Sequence, residues 1–318
     1  MDKINLGKSD LKVSRIGIGG GQWGQEGSGI TDPSMIKKVI NHALDSGINF
    51  IDTAEAYGNG LSEKMVGEVL KERGDRENVV IASKVNTNHL GFDEVLKACH
   101  ASLRRLQTDY IDLYQVHSPN PTVPISETMT ALRTLLDDGL VKHVGVSNFQ
   151  VSMTEVAVNS IEKYPVISNQ MEYSLLNRGI EKAMLKHAKW REMAVIAYSP
   201  LARGMLTGKY GSSDAIPQTD RRSKFALFRN MENRATLQPL FDAMKEIADK
   251  NGADLSQVAL NWLIKQDNII PIPSAKSPEQ VDSHVAALGW KMSDADWQNL
   301  SDISGDLRLN LFYNFGDA

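Results

Sequence analysis

A chain of 318 residues is long enough for one large α/β domain or two ordinary ones. With 42% hydrophobic and 23% charged residues it has the composition of a soluble globular protein, and a net charge of -4 leaves no electrostatic footprint for nucleic acid. Cys99 is the only cysteine, which excludes an intramolecular disulfide and a cysteine-based zinc site and fits a reducing compartment.

In chain order, residues 1–8 lack the apolar centre of a signal peptide, and no later apolar run approaches the length of a membrane span. A cytoplasmic protein with no membrane partner is therefore expected. Apolar residues alternate around Gly7-Lys8-Ser9-Asp10, which predicts a small hairpin over residues 4–13, placed to plug the floor of a barrel. Short β-branched runs at 14–19, 49–52, 79–84, 110–117, 141–147, 166–171, 194–198 and 269–273 then read as strands. Helical periods lie between them at 33–46, 62–72, 92–106, 125–138, 152–161, 179–190 and 278–288, and residues 237–266 carry two further helical patterns. The charge run 71–77 reads as a solvated helix end and turn. Residues 208–230 are polar and arginine-rich without apolar period, as a lid or a disordered loop would be. The aromatic tail 306–315 either closes a pocket or docks on a neighbouring subunit, and the oligomeric state stays open.

Most of the strand runs are apolar on both faces, as buried parallel strands are. About eight strand-and-helix pairs in a chain of this size match a (β/α)8 TIM barrel, here with an N-terminal β-hairpin and extra helices near the C-terminus. A doubly wound sheet is the competing α/β architecture. The barrel is preferred because no Pro, Gly or Ser linker divides the chain, so residues 1–318 are expected to form a single domain.

Four polar residues stand at the ends of three consecutive strand runs: Asp52 and, just beyond it, Tyr57, then Lys84, then His117. A phenol is a poor acid at neutral pH, its ordinary pKa being about 10. A nearby ammonium lowers that value, and a carboxylate holds the ammonium in place. An imidazole orients a substrate oxygen or shares the proton. Gathered at the C-terminal mouth of a barrel, the four make a proton donor suited to carbonyl reduction. Other motifs fall short. Gly19-Gly20-Gly21-Gln22-Trp23-Gly24 has the form G-x-G-x-x-G, but no helix follows at once as a dinucleotide fold requires. Gly204 to Lys209 lacks the spacing of a P-loop and the Ser or Thr after its Lys. No His or Cys cluster has metal-ligand spacing. His42, His100, His143 and His187 are read as structural, and His89 as a loop residue, solvated or at the substrate mouth.

Phe50-Ile51-Asp52-Thr53-Ala54-Glu55-Ala56-Tyr57-Gly58, Ser83-Lys84, Val116-His117 and Gly145-Val146-Ser147-Asn148-Phe149 together resemble the aldo-keto reductases, from about Leu6 to about Ile303. Ser168-Asn169-Gln170, the run from Ala197 to Gly204 with Thr207-Gly208-Lys209, and the run from Ile272 to Val281 extend the likeness. In style these segments look like the bacterial and plant branch that also contains the potassium-channel β subunits.

The resemblance implies an NADP(H)-dependent oxidoreductase with Tyr57 as general acid, Lys84 and Asp52 as its electrostatic support, and His117 orienting the carbonyl. It implies direct hydride transfer to a small-molecule carbonyl, without metal. It places Ser147, Asn148 and Gln170 on the carboxamide edge of the nicotinamide, with Tyr198 stacked on its face and Asp52 also among the cofactor contacts. Ser199, Pro200, Leu201, Ala202 and Arg203, with Lys209, would follow the pyrophosphate; Ser274, Ala275, Lys276 and Gln280 would sit at the adenosine end. Trp23, between glycine-rich flanks, would be exposed on a loop against nicotinamide or substrate. Gln280 replaces an Arg that in many relatives grips the 2′-phosphate, leaving Lys276 to do so, and Ser283-His284 replaces a Glu-Asn pair that contacts adenine. NADP(H) is expected over NAD(H) on this basis. Two other functions compete: a cofactor-binding regulatory subunit with little turnover, and a barrel with sugar-phosphate chemistry.

Overall fold

Gly7, at a φ of +57°, turns the chain between strands β1 (Lys3–Asn5) and β2 (Lys12–Ser14), which pair antiparallel with Ile4 opposite Val13. The computed structural model describes residues 1–27, 29–210 and 216–309. After the hairpin come eight parallel strands among the described residues: β3 (Ile18–Gly19), β4 (Phe50–Asp52), β5 (Val80–Val85), β6 (Ile111–Val116), β7 (Val141–Ser147), β8 (Val166–Glu172), β9 (Ala194–Tyr198) and β10 (Ile269–Pro271). Each pairs with the next in sequence. Gly17 and Gly19 donate N–H bonds of 3.0 Å to the carbonyls of Pro271 and Pro273, which joins first strand to last. The result is the expected (β/α)8 barrel.

Helices α1 (Pro33–Asp45), α2 (Leu61–Arg73), α3 (Phe92–Leu106), α4 (Ile125–Asp137), α5 (Val151–Ile161) and α6 (Met184–Trp190) wrap the strands. Their apolar faces and the outward faces of the strands form one buried layer. A second layer fills the barrel: Phe50, Val80, Leu113, Ile167, Ile196 and Ile270 meet Leu6, Leu11 and Val13 of the hairpin. The hairpin therefore plugs the floor, as its alternation predicted. Gly7 makes this fit possible, because a Cβ there would lie 2.3 Å from the Ile167 carbonyl oxygen. Gly7→Ala is expected to destabilise the fold by about 2 kcal/mol, through the clash and the positive φ. A urea midpoint unchanged from wild type would show that the floor makes room for the added methyl.

Several boundaries differ from expectation. The first strand was expected over 14–19, but Ser14 belongs to the hairpin, and its N–H goes to Asn49 Oδ1 at 2.7 Å instead of a barrel ladder. The helix expected over 179–190 is a 3-10 turn (Gly179–Lys182) followed by α6, because Ala183, at φ -140°, leaves helical geometry. Within 208–230 the chain forms a 3-10 turn (Arg221–Lys224) and α7 (Ala226–Arg229), too short to show a period; residues 211–215 lie outside the described residues. Next come α8 (Met231–Thr236), the two expected extra helices α9 (Gln238–Asn251) and α10 (Leu255–Ile264), and α11 (Pro278–Ala286). A last helix, α12 (Asp294–Asp306), was not expected; Ser293 caps it by accepting the Asp296 N–H at 3.0 Å. Of the aromatic tail, residues 310–315 lie outside the described residues.

Arg76, in the charge run expected to be solvated, instead clasps Asp112 at 2.7 Å and lies over the Tyr110 ring. No helix of the described residues is long and apolar enough to cross a membrane.

Candidate active site

Along the strands the inward residues change from apolar at the floor to polar at the mouth. Phe50 gives way to Asp52, Val80 and Ala82 to Lys84, and Leu113 to Gln115 and then His117, in steps of two as the pleat requires. β8 needs a correction to this parity. Its register with β7 shifts between Val144 and Val146, a bulge, so that Ile167 and Gln170 both face inward although three residues apart.

Lys84 is fully buried, and its ammonium has three acceptors for three hydrogens: Asp52 Oδ1 at 2.6 Å, the Thr53 carbonyl at 2.8 Å and the Tyr57 phenol oxygen at 3.2 Å. Because the ammonium donates to the phenol oxygen, the phenolic hydrogen is left to point into the cleft. The Tyr57 and His117 rings meet edge-on with centroids 5.5 Å apart. The four residues read from strand ends are thus brought together.

The electrostatics differ from expectation in one respect. Burial raises the Tyr57 pKa above its ordinary value of 10.0 and outweighs the lowering by Lys84. Burial also opposes the Lys84 charge, but Asp52 and Tyr57 together hold its pKa above normal. A neutral phenol beside a charged lysine can act as an acid, because the ammonium would stabilise the anion left by a departing proton. His117 is pushed down to about 4 by burial and by Lys84, so it is neutral at physiological pH.

An open cleft of about 860 Å³ runs from this cluster across the barrel mouth. Asp52, Tyr57 and His117 line it together with Ser147, Asn148, Gln170 and Tyr198. These are tied together: Asn148 donates to the His117 carbonyl at 3.1 Å and accepts from Tyr198 at 2.9 Å, and Ser147 donates to the Gln170 carbonyl at 2.9 Å. Ser199, Pro200, Leu201, Arg203 and Lys209 also line it, from a segment in which Ser199, Ala202 and Arg203 all adopt positive φ between 47° and 58°. Ser274, Lys276 and Gln280 line it as well.

Three expected cofactor contacts do not line the cleft. Trp23 is 0% exposed rather than out on a loop; its indole donates to the Ala275 carbonyl at 3.4 Å, and burying that large ring outweighs the openness of its glycine neighbours. Ala202 and Ala275 are likewise buried behind the wall. His89 pairs with Glu55 at 3.0 Å and also stays off the cleft.

Lys276 is pushed below its ordinary pKa by burial, then by Arg222 and Lys209, with Asp220, the carboxylate paired to Arg222, opposing them. Gln280 does not reach outward freely, since its Oε1 accepts the Lys276 backbone N–H at 2.8 Å.

Sequence reasoning missed several lining residues. Gly21, Gln22 and Ser118 follow strand ends and were legible by position; Arg221, Arg222 and Phe225 come from the arginine-rich segment, whose Thr219 carbonyl lies against Gly27 across the cleft. Asp254 and Ser256 come from the start of α10, for which no strand-end signal exists.

His284, also on the wall, is 4% exposed and held down to about 4 by burial. With folded values near 4 against 6.5 for the free side chain, His117 and His284 confer stability that is complete above about pH 6.5 and lost as pH falls toward 4. His284→Asn is expected to remove on the order of 2 kcal/mol of that acid sensitivity. Urea midpoints of both proteins across this window check it, and parallel profiles would count against a buried neutral imidazole.

The sequence pattern of the Aldo/keto reductase family matches residues 15–304. Aldo-keto reductase YhdN of Bacillus subtilis is 32% identical over 317 residues, covering 95% of this chain and 93% of that protein. Among solved structures, a glycerol dehydrogenase of Gluconobacter oxydans superimposes with a TM-score of 0.88 at 30% identity, covering 100% of this chain and 99% of that one. An aldo-keto reductase of Klebsiella pneumoniae in complex with NADPH gives a TM-score of 0.76 at 28% identity, covering 98% and 99%. Sequence pattern, full-length similarity and barrel architecture agree: the chain belongs to the aldo/keto reductase family.

Proposed function

We propose that the protein is an NADP(H)-dependent reductase of small aldehydes or ketones, with Tyr57 as general acid. The observation that carries this reading is the Tyr57 hydroxyl oxygen, which accepts from Lys84 at 3.2 Å on the wall of the cleft and so keeps its own hydrogen available to donate. Support for a dinucleotide comes from the lining of the cleft: the cations Lys209 and Lys276, with Arg222 paired to Asp220 beside them, suit phosphate groups, and the amides and hydroxyls of Ser147, Asn148 and Gln170 suit a carboxamide. The Klebsiella relative in complex with NADPH supports the same choice.

A bound nicotinamide supplies the hydride to the carbonyl carbon. Tyr57 gives its proton to the carbonyl oxygen, so carbonyl, hydride and proton become the alcohol. Lys84 stabilises the phenolate left behind, and Asp52 keeps Lys84 charged. His117, being neutral, donates a hydrogen bond to the same oxygen and fixes the approach of the substrate.

Purified protein supplied with NADPH or NADH and a panel of carbonyls, including methylglyoxal and 4-nitrobenzaldehyde, is expected to oxidise NADPH preferentially. Binding of NADPH without turnover of any carbonyl would point to a regulatory subunit instead. Comparable kcat/KM for the two cofactors would remove the NADP(H) preference.

A further inference from the structure

Asp52 meets Lys84 through one oxygen and two side-chain amides through the other. Asp52 Oδ2 accepts from Gln170 Nε2 at 2.7 Å and, by a longer contact, from Gln115 Nε2 at 3.4 Å. Gln170 lines the cleft, whereas Gln115 is 0% exposed and lies beneath it, two residues before His117 on β6. The amide must face Asp52 with its nitrogen, because the reverse would set a carbonyl oxygen against a carboxylate.

The neighbouring strands are shaped around this side chain. Gly145 on β7 has no Cβ where one would lie 3.2 Å from Gln115 Cγ and 2.3 Å from Ser168 Oγ. Gln115 Oε1 and Ser168 Oγ are both buried with no hydrogen-bond partner among the described residues. An apolar side chain would fill this space without leaving a buried carbonyl unpaired. The bond to Asp52 is what the glutamine supplies in return.

We infer that Gln115 is a positioning residue for proton transfer: by fixing Asp52 Oδ2 from below, it keeps Oδ1 on Lys84 and Lys84 on the phenol oxygen of Tyr57. The inference rests on Tyr57 being the proton donor. Gln115 does not touch the reacting atoms, so its removal acts on the rate of proton transfer and not on cofactor binding.

The test is steady-state reduction of 4-nitrobenzaldehyde by NADPH, as a function of pH, for Gln115→Met, Gln115→Glu and Tyr57→Phe. Gln115→Met is expected to lower kcat about tenfold while the KM for NADPH stays within about twofold of wild type. Gln115→Glu is the sharper probe, since it keeps size and shape. A protonated carboxyl donates to Asp52 as the amide does; an ionised one repels it. Burial and Asp52 on β4 push that carboxyl up, Lys84 on β5 opposes them, and Gly145, Ser168 and Gln170 on the adjoining strands bring no charge. Gln115→Glu is therefore expected to retain activity within about threefold of wild type near about pH 5 and to lose about tenfold or more by about pH 8.

A wild-type kcat in Gln115→Met, or in Gln115→Glu either a wild-type pH profile or a loss equal at every pH, overturns the inference. With Tyr57→Phe inactive in those cases, the proton-donor reading itself stands. Turnover surviving in Tyr57→Phe removes both. Should Gln115→Met fail to fold, the isosteric variant decides alone.

Discussion

Tyr57→Phe is expected to lower kcat for carbonyl reduction by about 10³-fold while the affinity for NADPH stays within about threefold of wild type. The substitution removes one oxygen and leaves the ring, with its edge-on contact to His117 at 5.5 Å and its packing beneath Gly21. Lys84 keeps its bonds to Asp52 and the Thr53 carbonyl, and its third hydrogen turns to water at the cleft. Nothing that shapes the dinucleotide groove changes. What disappears is a proton donated only as negative charge develops on the substrate oxygen, so the loss falls on kcat. With Tyr57 as the acid, the direction of its pKa shift gives the expected pH dependence: reduction that needs the neutral phenol is expected to be flat through neutrality and to fall only above the ordinary value of 10.0. A variant that kept most of its kcat would exclude Tyr57 as the acid.

Lys84→Met is expected to be as severe in rate and, unlike the tyrosine change, to unfold the protein more easily. The ammonium is 0% exposed and sits 2.6 Å from a carboxylate that is itself buried. Removing one member of such a pair strands the other in low dielectric, at a stability loss of about 3–5 kcal/mol. Asp52→Asn is expected to be milder in rate, since the amide still accepts from Lys84 through its oxygen, while its nitrogen forces the Gln170 and Gln115 amides that now donate to Asp52 to turn. The double variant Lys84→Met with Asp52→Asn separates the two effects: stability should return toward wild type as the stranded charge is removed, and activity should not. Urea midpoints and kcat measured on the same preparations check this. Recovery of activity in the double variant would mean that Lys84 serves the fold and not the proton transfer.

Much of the architecture is legible because the chain states it locally. The barrel strands are β-branched runs bounded by turn residues, and the side chains that end them are the ones the mouth brings together. The glycine turn at Gly7 and the alternation around it announce the hairpin. What stays hidden depends on contacts distant in sequence. The bulge in β8 reverses the parity that would otherwise aim Gln170 outward, and no local pattern marks it. Trp23 is drawn inward by a carbonyl 252 residues away. Asp254 and Ser256 reach the cleft from a helix outside the strand order. The sign of the Tyr57 shift runs against the sequence expectation for the same reason: residue types give the attraction of Lys84, but only the fold gives the depth of burial that outweighs it.

The hairpin that caps the barrel floor makes the molecule a cup and not a pipe. Beneath Lys84 the packed apolar layer closes the underside, so the ammonium never meets bulk solvent from that direction. With Tyr57 as the proposed acid, each proton it gave up would be replaced from the rim, along the path by which an alcohol product would depart. On that proposal, clearing the product and rearming the acid would share a single doorway.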